Sequence, residues 1–408
     1  MAVVRLHAQR AEDLTAPVTV AIRAVLTPAF VHAAVTNFFF IASLSCFILL
    51  PLYIHEVGGT EVEVGLIMGI YHVAGIVCQP LVGVWVDRLG RRPFMLVGAW
   101  LVALSALAFL ASSSSLVFAF LRVIQGIGFS AFFVANYTLV VDLAPAERRG
   151  WALGIYGIFG LSATALTPLA SEWLIRNLGY PPFFALAALL ALVGLALVWR
   201  TSEPRATIPA PRPGLVAIQE GLGDLFRLPM ALAFIFGIGV GTISTFLPTF
   251  AEILGVKHLA FFYTGYAGAA ILVRAGGGQL IDSLGRRAVI VPSFFLLSAG
   301  GGILALLAIL VDARTTLPVL PFLFLAGFVA GSAHGFLYPA LSALLIDLAP
   351  DARRGSAVGL FSSVILAGHA LGSMLFGYVA HGLGYGVLWT ALTLLVALGF
   401  GASFRLSP

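Results

Sequence analysis

The residues able to do chemistry fall into two groups. One is a pair of charged strings, GVWVDRLGRR at 83–92 and DLAPAERRG at 142–150, which return as GQLIDSLGRR at 278–287 and DLAPDARRG at 347–355. Six of ten positions agree in the first pair and seven of nine in the second. Carboxylates and guanidinium groups at such spacing suit ion pairs and contacts with helix ends, where an anion meets the positive pole of the backbone dipole. The other group lies inside apolar runs: Arg122, Arg274, His72, His334 and His369. A buried arginine is expensive in a membrane and points to a partner or a function, and a histidine can change charge near neutral pH. No aspartate or glutamate occupies the middle third of any apolar run, and Glu61, Glu63, Glu172 and Glu252 all sit near run ends. HExxH, Walker and GxSxG strings are absent, so neither an enzyme nor a nucleotide site is expected.

The elements that carry these residues are apolar throughout. Of 408 residues, 60% are hydrophobic and 10% charged, with mean hydropathy +1.05, against roughly 25% charged in soluble domains. A water-soluble fold, a disordered chain and a nucleic-acid-binding tail are all excluded. Twelve runs follow one another, at about 29–54, 62–86, 94–112, 116–141, 151–176, 182–200, 229–251, 258–281, 288–311, 318–346, 356–380 and 386–404. Each is long enough to span a bilayer, which takes about 20 residues, and none shows the alternation of a membrane barrel. Cys46 and Cys78 lie within runs and imply no disulfide framework.

Charge placement sets the orientation. Seventeen of 22 Lys and Arg fall in the N-terminal tail, the even-numbered loops and the C-terminal tail; only Arg176, Lys257 and Arg314 fall in the odd-numbered loops. The positive-inside rule then puts both termini in the cytoplasm. Trp85, Trp151, Trp173, Trp199 and Trp389 stand near run ends, as an interfacial belt requires. Residues 1–28 form a mixed-charge tail without a cleavable signal. The loop 201–228 opens with a Pro-rich linker and continues with Leu215, Ile218, Leu222, Leu225 and Phe226 on one face, which predicts a short amphipathic surface helix.

The repeated strings make the chain a tandem of two six-helix halves in the same orientation, 29–200 and 229–404, followed by a short tail 405–408. The 83–92 string resembles the loop 2–3 signature of the major facilitator superfamily, and Arg122, Gln125, Gly126 and Gly128 resemble the fourth-helix signature of its proton-coupled members. In the fifth helix Thr167 and Ser171 stand where the family's antiporters usually have glycine. The resemblance implies an all-α membrane protein of twelve helices in two pseudo-symmetric bundles. It also implies a gating motif of Gly83, Asp87, Arg88, Gly90, Arg91, Arg92 and Asp142, repeated as Asp282, Gly285, Arg286 and Asp347. Asp87 would meet the start of helix 11 at Gly355–Ser356, with Gly83 letting a helix approach closely.

Family architecture places helices 1, 4, 7 and 10 around a central cavity, where Asn37, Phe38, Asn136, Tyr137, Thr242, Thr245, His334 and Tyr338 stand. Arg122, His334, His72, His369 and Arg274 are the coupling candidates, with His334 preferred because it lies one turn from Tyr338. The expected function is secondary active transport of a small molecule by alternating access: proton-coupled efflux of an amphipathic compound, with uptake or exchange of an organic anion as the alternative and a non-transporting sensor after that. No cofactor beyond a proton gradient, no nucleic acid and a monomer in the bacterial inner membrane complete the expectation.

Overall fold

The computed structural model describes residues 25–145, 148–201, 224–312, 318–349 and 354–406. The described residues form helices and no strand. The first six are α1 (Pro28–Glu56, with a 3-10 turn at Phe47–Leu49), α2 (Glu61–Leu89), α3 (Arg92–Ala108), α4 (Ser115–Leu143), α5 (Arg149–Leu178) and α6 (Tyr180–Trp199). The second six are α7 (Asp224–Ile253), α8 (Ala260–Leu284), α9 (Arg286–Asp312), α10 (Val319–Leu348) and the run Arg354–Ser403, which breaks at Gly384 into α11 and α12. Among the described residues ten stretches are long and apolar enough to cross a membrane, and the last of them, Gly359–Ser403, contains both α11 and α12. The remaining helix, α8, carries Arg274, Tyr263 and Tyr266 among five glycines, which lowers its hydropathy. The amphipathic segment expected at 201–228 lies outside the described residues up to 223; from Asp224 onward it is simply the start of α7.

Sharp turns at single glycines fix the antiparallel course. Gly90 and Gly285 follow α2 and α8, and Gly179 and Gly384 follow α5 and α11, with φ of 92°, 87°, 82° and 81°. Each combines that φ with an extended ψ, a backbone region essentially closed to residues with a Cβ. The four turns are related by the repeat.

Between helices in a bilayer, small residues permit close backbone approach and packing takes over from the hydrophobic drive. A Cβ at Gly126 would run into the Tyr71 carbonyl, and one at Gly331 into the Tyr266 carbonyl, so α2–α4 and α8–α10 cross at matching positions. Contacts of α3 with α4 and α6, and of α1 with α5 and α6, complete the first bundle; the second repeats them. Trp85, Trp151, Trp173 and Trp199 are exposed near helix ends. Trp389 is not part of that belt: it is 0% exposed and packs against Phe250, with ring centroids 5.4 Å apart. It sits a full turn past Gly384, on the side of α12 that faces α7.

The halves meet mainly through α2 against α11 and α5 against α8. The helix-on-helix contacts of both seams lie toward the arginine-poor end, the end of the loops at 57–60 and 254–259. Gly65 and Gly69 of α2 abut Ser373, Gly377, Ala370 and Met374 of α11. At the arginine-rich end no described atom lies within 4 Å of where a Cβ on Gly83 would stand. Among the described residues the close approach expected at Gly83 is absent, and α2 and α11 converge at their opposite ends.

Candidate functional site

The charged strings fasten each half to itself. Arg91 donates to Asp142 at 2.6 Å, and Arg286 donates to Asp347 at 3.1 Å. Arg92 reaches the Trp199 carbonyl at 2.6 Å and Arg287 the Phe404 carbonyl at 2.9 Å, so the last arginine of each string caps the final helix of its half. Cations at a helix C-terminus satisfy carbonyls left without an intrahelical partner. Arg88 is exposed. The side chains of Asp87, Asp282 and residues 354–358 lie outside the described ones.

The arginine-poor end is fastened across the halves. Glu172 of α5, only 7% exposed, accepts hydrogen bonds from the backbone N–H groups of Leu259 and Ala260 at 2.9 and 2.8 Å. Its carboxylate thus caps α8 from the opposite half, and a charge at a helix N-terminus is favourable. Arg176, one turn on, donates to Glu172 and to the Val256 carbonyl at 3.0 Å. On the other seam His381 of α11 lies 3.3 Å from Glu61 of α2.

Below this seal the space between the halves is lined by side chains that stay partly accessible. From the first half it receives His72 of α2 and the ladder Phe129, Phe133 and Tyr137 of α4; from the second, Arg274 of α8, His334 and Tyr338 of α10, and His369 of α11. All are partly accessible despite lying well inside their helices. His72 and His369 face each other across the seam with ring centroids 5.0 Å apart. Among the described residues no third ligand joins them to make a metal site. His334 bonds the Tyr266 hydroxyl at 2.6 Å through Nδ1 and stacks on Tyr338. Arg274 lies 5.7 Å from the Tyr338 ring centre and extends toward Gly157 of α5, where a Cβ would sit 2.7 Å from its Nη1. Arg122 stands over the Tyr71 ring at 4.2 Å and donates to Gln125 at 2.8 Å.

Four of the polar residues expected to face the cavity sit inside the bundles instead. Tyr156 donates to Asn37, and Asn136 donates to Tyr156, tying α1, α4 and α5 together. Thr245 pairs with Ser373 at 2.8 Å, and Thr242 is buried against Gly372 of α11. Phe38 is half-buried on α1. Sequence reasoning passed over Tyr71, Tyr266 and Gly157, and placed Glu172 only as a carboxylate near a run end. Tyr71 and Tyr266 were within reach, since they are separated by the same 195 residues as the first pair of strings.

The sequence profile of the Major Facilitator Superfamily matches residues 32–320 and 263–408. The chain belongs to the Major Facilitator Superfamily. As in that family at large, it is a multi-pass membrane transporter of small molecules and not an enzyme. It is 26% identical over 353 residues to the multidrug resistance protein MdtG of Citrobacter koseri, covering 82% of this chain and 84% of that one. It is 24% identical over 391 residues to the staphylopine export protein of Staphylococcus aureus, covering 91% and 94%. Its fold resembles a solved point mutant of the nucleoside transporter NupG with a TM-score of 0.77 at 14% identity, covering 92% of this chain and 99% of that one. This superfamily chain holds its two bundles together toward the arginine-poor end, with His72 and His369 facing each other between them.

Proposed function

We propose that the chain is a proton-driven exporter of a small amphipathic molecule, working by alternating access in the bacterial inner membrane with both termini cytoplasmic. The observation that carries this reading is the aromatic and polar lining between two bundles that meet mainly at one end. Similarity to relatives named for multidrug resistance and export supports the outward direction. With the arginine-rich end cytoplasmic, the described conformation is the inward-facing one that loads substrate. In the other state Asp87 would cap α11 and the Gly83 surface would be covered. The decisive experiment is transport in proteoliposomes under an imposed pH gradient with a panel of amphipathic compounds. Accumulation that collapses with an uncoupler is expected; accumulation indifferent to the gradient would remove the proton from the scheme.

The orientation has its own check. Cysteines introduced at Ser113 and Glu203 of a cysteine-free variant are expected to react from outside and inside respectively in sealed cells. The reverse pattern would invert the assignment.

Coupling is assigned to the His72–His369 pair, which spans the seam between the halves, rather than to His334, which bonds Tyr266 within the second half. Two protonated rings 5.0 Å apart repel by on the order of 3 kcal/mol at an effective dielectric of about 20. Arg122 adds to the same side, and Tyr71 and His334 are the remaining titratable neighbours. Protonation from outside would thus favour release of the seal. His72→Gln and His369→Gln are each expected to flatten the pH dependence of transport, and His334→Gln to leave most of it. Retention of the wild-type profile in both seam variants would count against the pair.

A further inference from the structure

Arg122 and Arg274 are the two cations of the membrane interior, and neither forms an ion pair among the described residues. All 17 carboxylates of the chain lie in loops or tails or near the ends of helices. Arg122 is 4% exposed, so it does not snorkel to a surface. Among the described residues its Nε and the Gln125 Nε2 are buried without a hydrogen-bond partner, as are the Arg274 Nε and the His72 Nδ1. A buried guanidinium with open donors and no counter-charge is strongly disfavoured unless something else supplies the negative charge.

The two groups also share one path. Arg122 lies seven residues into α4 and Arg274 fourteen residues into α8, both counted from the arginine-poor end. At 1.5 Å per residue they are about 10 Å apart along the axis. His72 and His369 meet beside this path, with Tyr71 under one arginine and Tyr338, stacked on His334, beside the other. The open donors are those of an oxyanion site, and the rings beside them suit a flat apolar body.

Resting on the exporter reading, we infer that the substrate is an amphipathic organic anion whose carboxylate, or an equivalent oxyanion, is received first by Arg274 and then by Arg122 and Gln125. Arg274 is the station reached from the arginine-rich end. Arg122, beside the His72–His369 seam, is the station next to the seal. The anion supplies the charge that this lining lacks, and the tyrosines hold its body.

The test uses the purified full chain in nanodiscs, with 2-naphthoate, its neutral amide, the corresponding naphthylmethylammonium and sodium chloride as probes. Naphthoate is expected to raise the unfolding temperature at concentrations at least tenfold below those at which the amide or the cation acts. Arg274→Gln and Arg122→Gln should each weaken that effect tenfold or more, and Arg274→Lys should recover part of it. The inference falls if the cation or the amide protects as well as naphthoate. It falls equally if chloride alone reproduces the effect, if naphthoate protects both glutamine variants unchanged, or if naphthoate does not protect at all. Gradient-driven transport of a cationic compound with no naphthoate binding would keep the exporter and discard the anion. Naphthoate binding without transport of any probe would do the opposite.

Discussion

Glu172→Gln is expected to unlock the arginine-poor end. The carboxylate accepts from two backbone amides of the opposite half and from Arg176, and hydrogen bonds to a charged group contribute about 1.5–3 kcal/mol. Glutamine keeps one acceptor oxygen and loses the charge that faces the α8 N-terminus. A loss of that size moves a conformational equilibrium by roughly 10- to 100-fold. Thr264 of α8 donates to the Ala165 carbonyl of α5 across the same seam, so a cysteine at 264 reports its parting directly. Its labelling by an impermeant maleimide from the arginine-poor side should rise by at least tenfold in the double variant, while Arg176→Gln, on a more exposed side chain, should change it little. Unchanged labelling would reduce Glu172 to a packing residue.

The largest effect on folding is expected from Gly331→Leu. A side chain there meets the Tyr266 backbone carbonyl, which cannot rotate aside as a flexible side chain would. Overpacking typically costs 1–3 kcal/mol and more where backbone must move. The monodisperse species should disappear in size-exclusion chromatography, and Gly126→Leu should do the same at the matching crossing over Tyr71. Gly83→Leu is the contrast: with no described atom within 4 Å, it should leave unfolding temperature unchanged and abolish transport by obstructing the alternate state. Loss of stability in Gly83→Leu, or tolerance of Gly331→Leu, would contradict this packing scheme.

Helix number, the tandem repeat and the ion pairs of the charged strings could be read from the chain because each has a local signature: run length, repeated letters, or opposite charges at helix ends. The lining between the halves could be read only in part. Helices that are apolar on all sides carry no periodic face, so Asn37 and Asn136 looked like cavity residues when they are tied together through Tyr156. Trp389 carried the composition of an interfacial residue but lies on the buried side of α12. The Glu172 cap was invisible for a different reason. Its partners are backbone amides 87 and 88 residues away, and a backbone amide has no letter. Gly83 differs again, since what covers it depends on which end of the cleft is shut.

The two seams of the closed end occupy equivalent places in the repeat. Arg176 and His381 stand 205 residues apart, as do Glu172 and Gly377. One seam holds a carboxylate capping a helix, whereas the other holds a glycine pressed against Gly65 and the Glu61 carbonyl. In a duplicated gene whose halves were once identical, both seams began with the same chemistry. Their divergence leaves a molecule with two unlike hinges: α5–α8 is held by a buried carboxylate capping a helix, and α2–α11 by a glycine track with the more exposed His381–Glu61 contact at its rim. The buried carboxylate cap is the costlier of the two fastenings to break, so opening is expected to be limited at α5–α8.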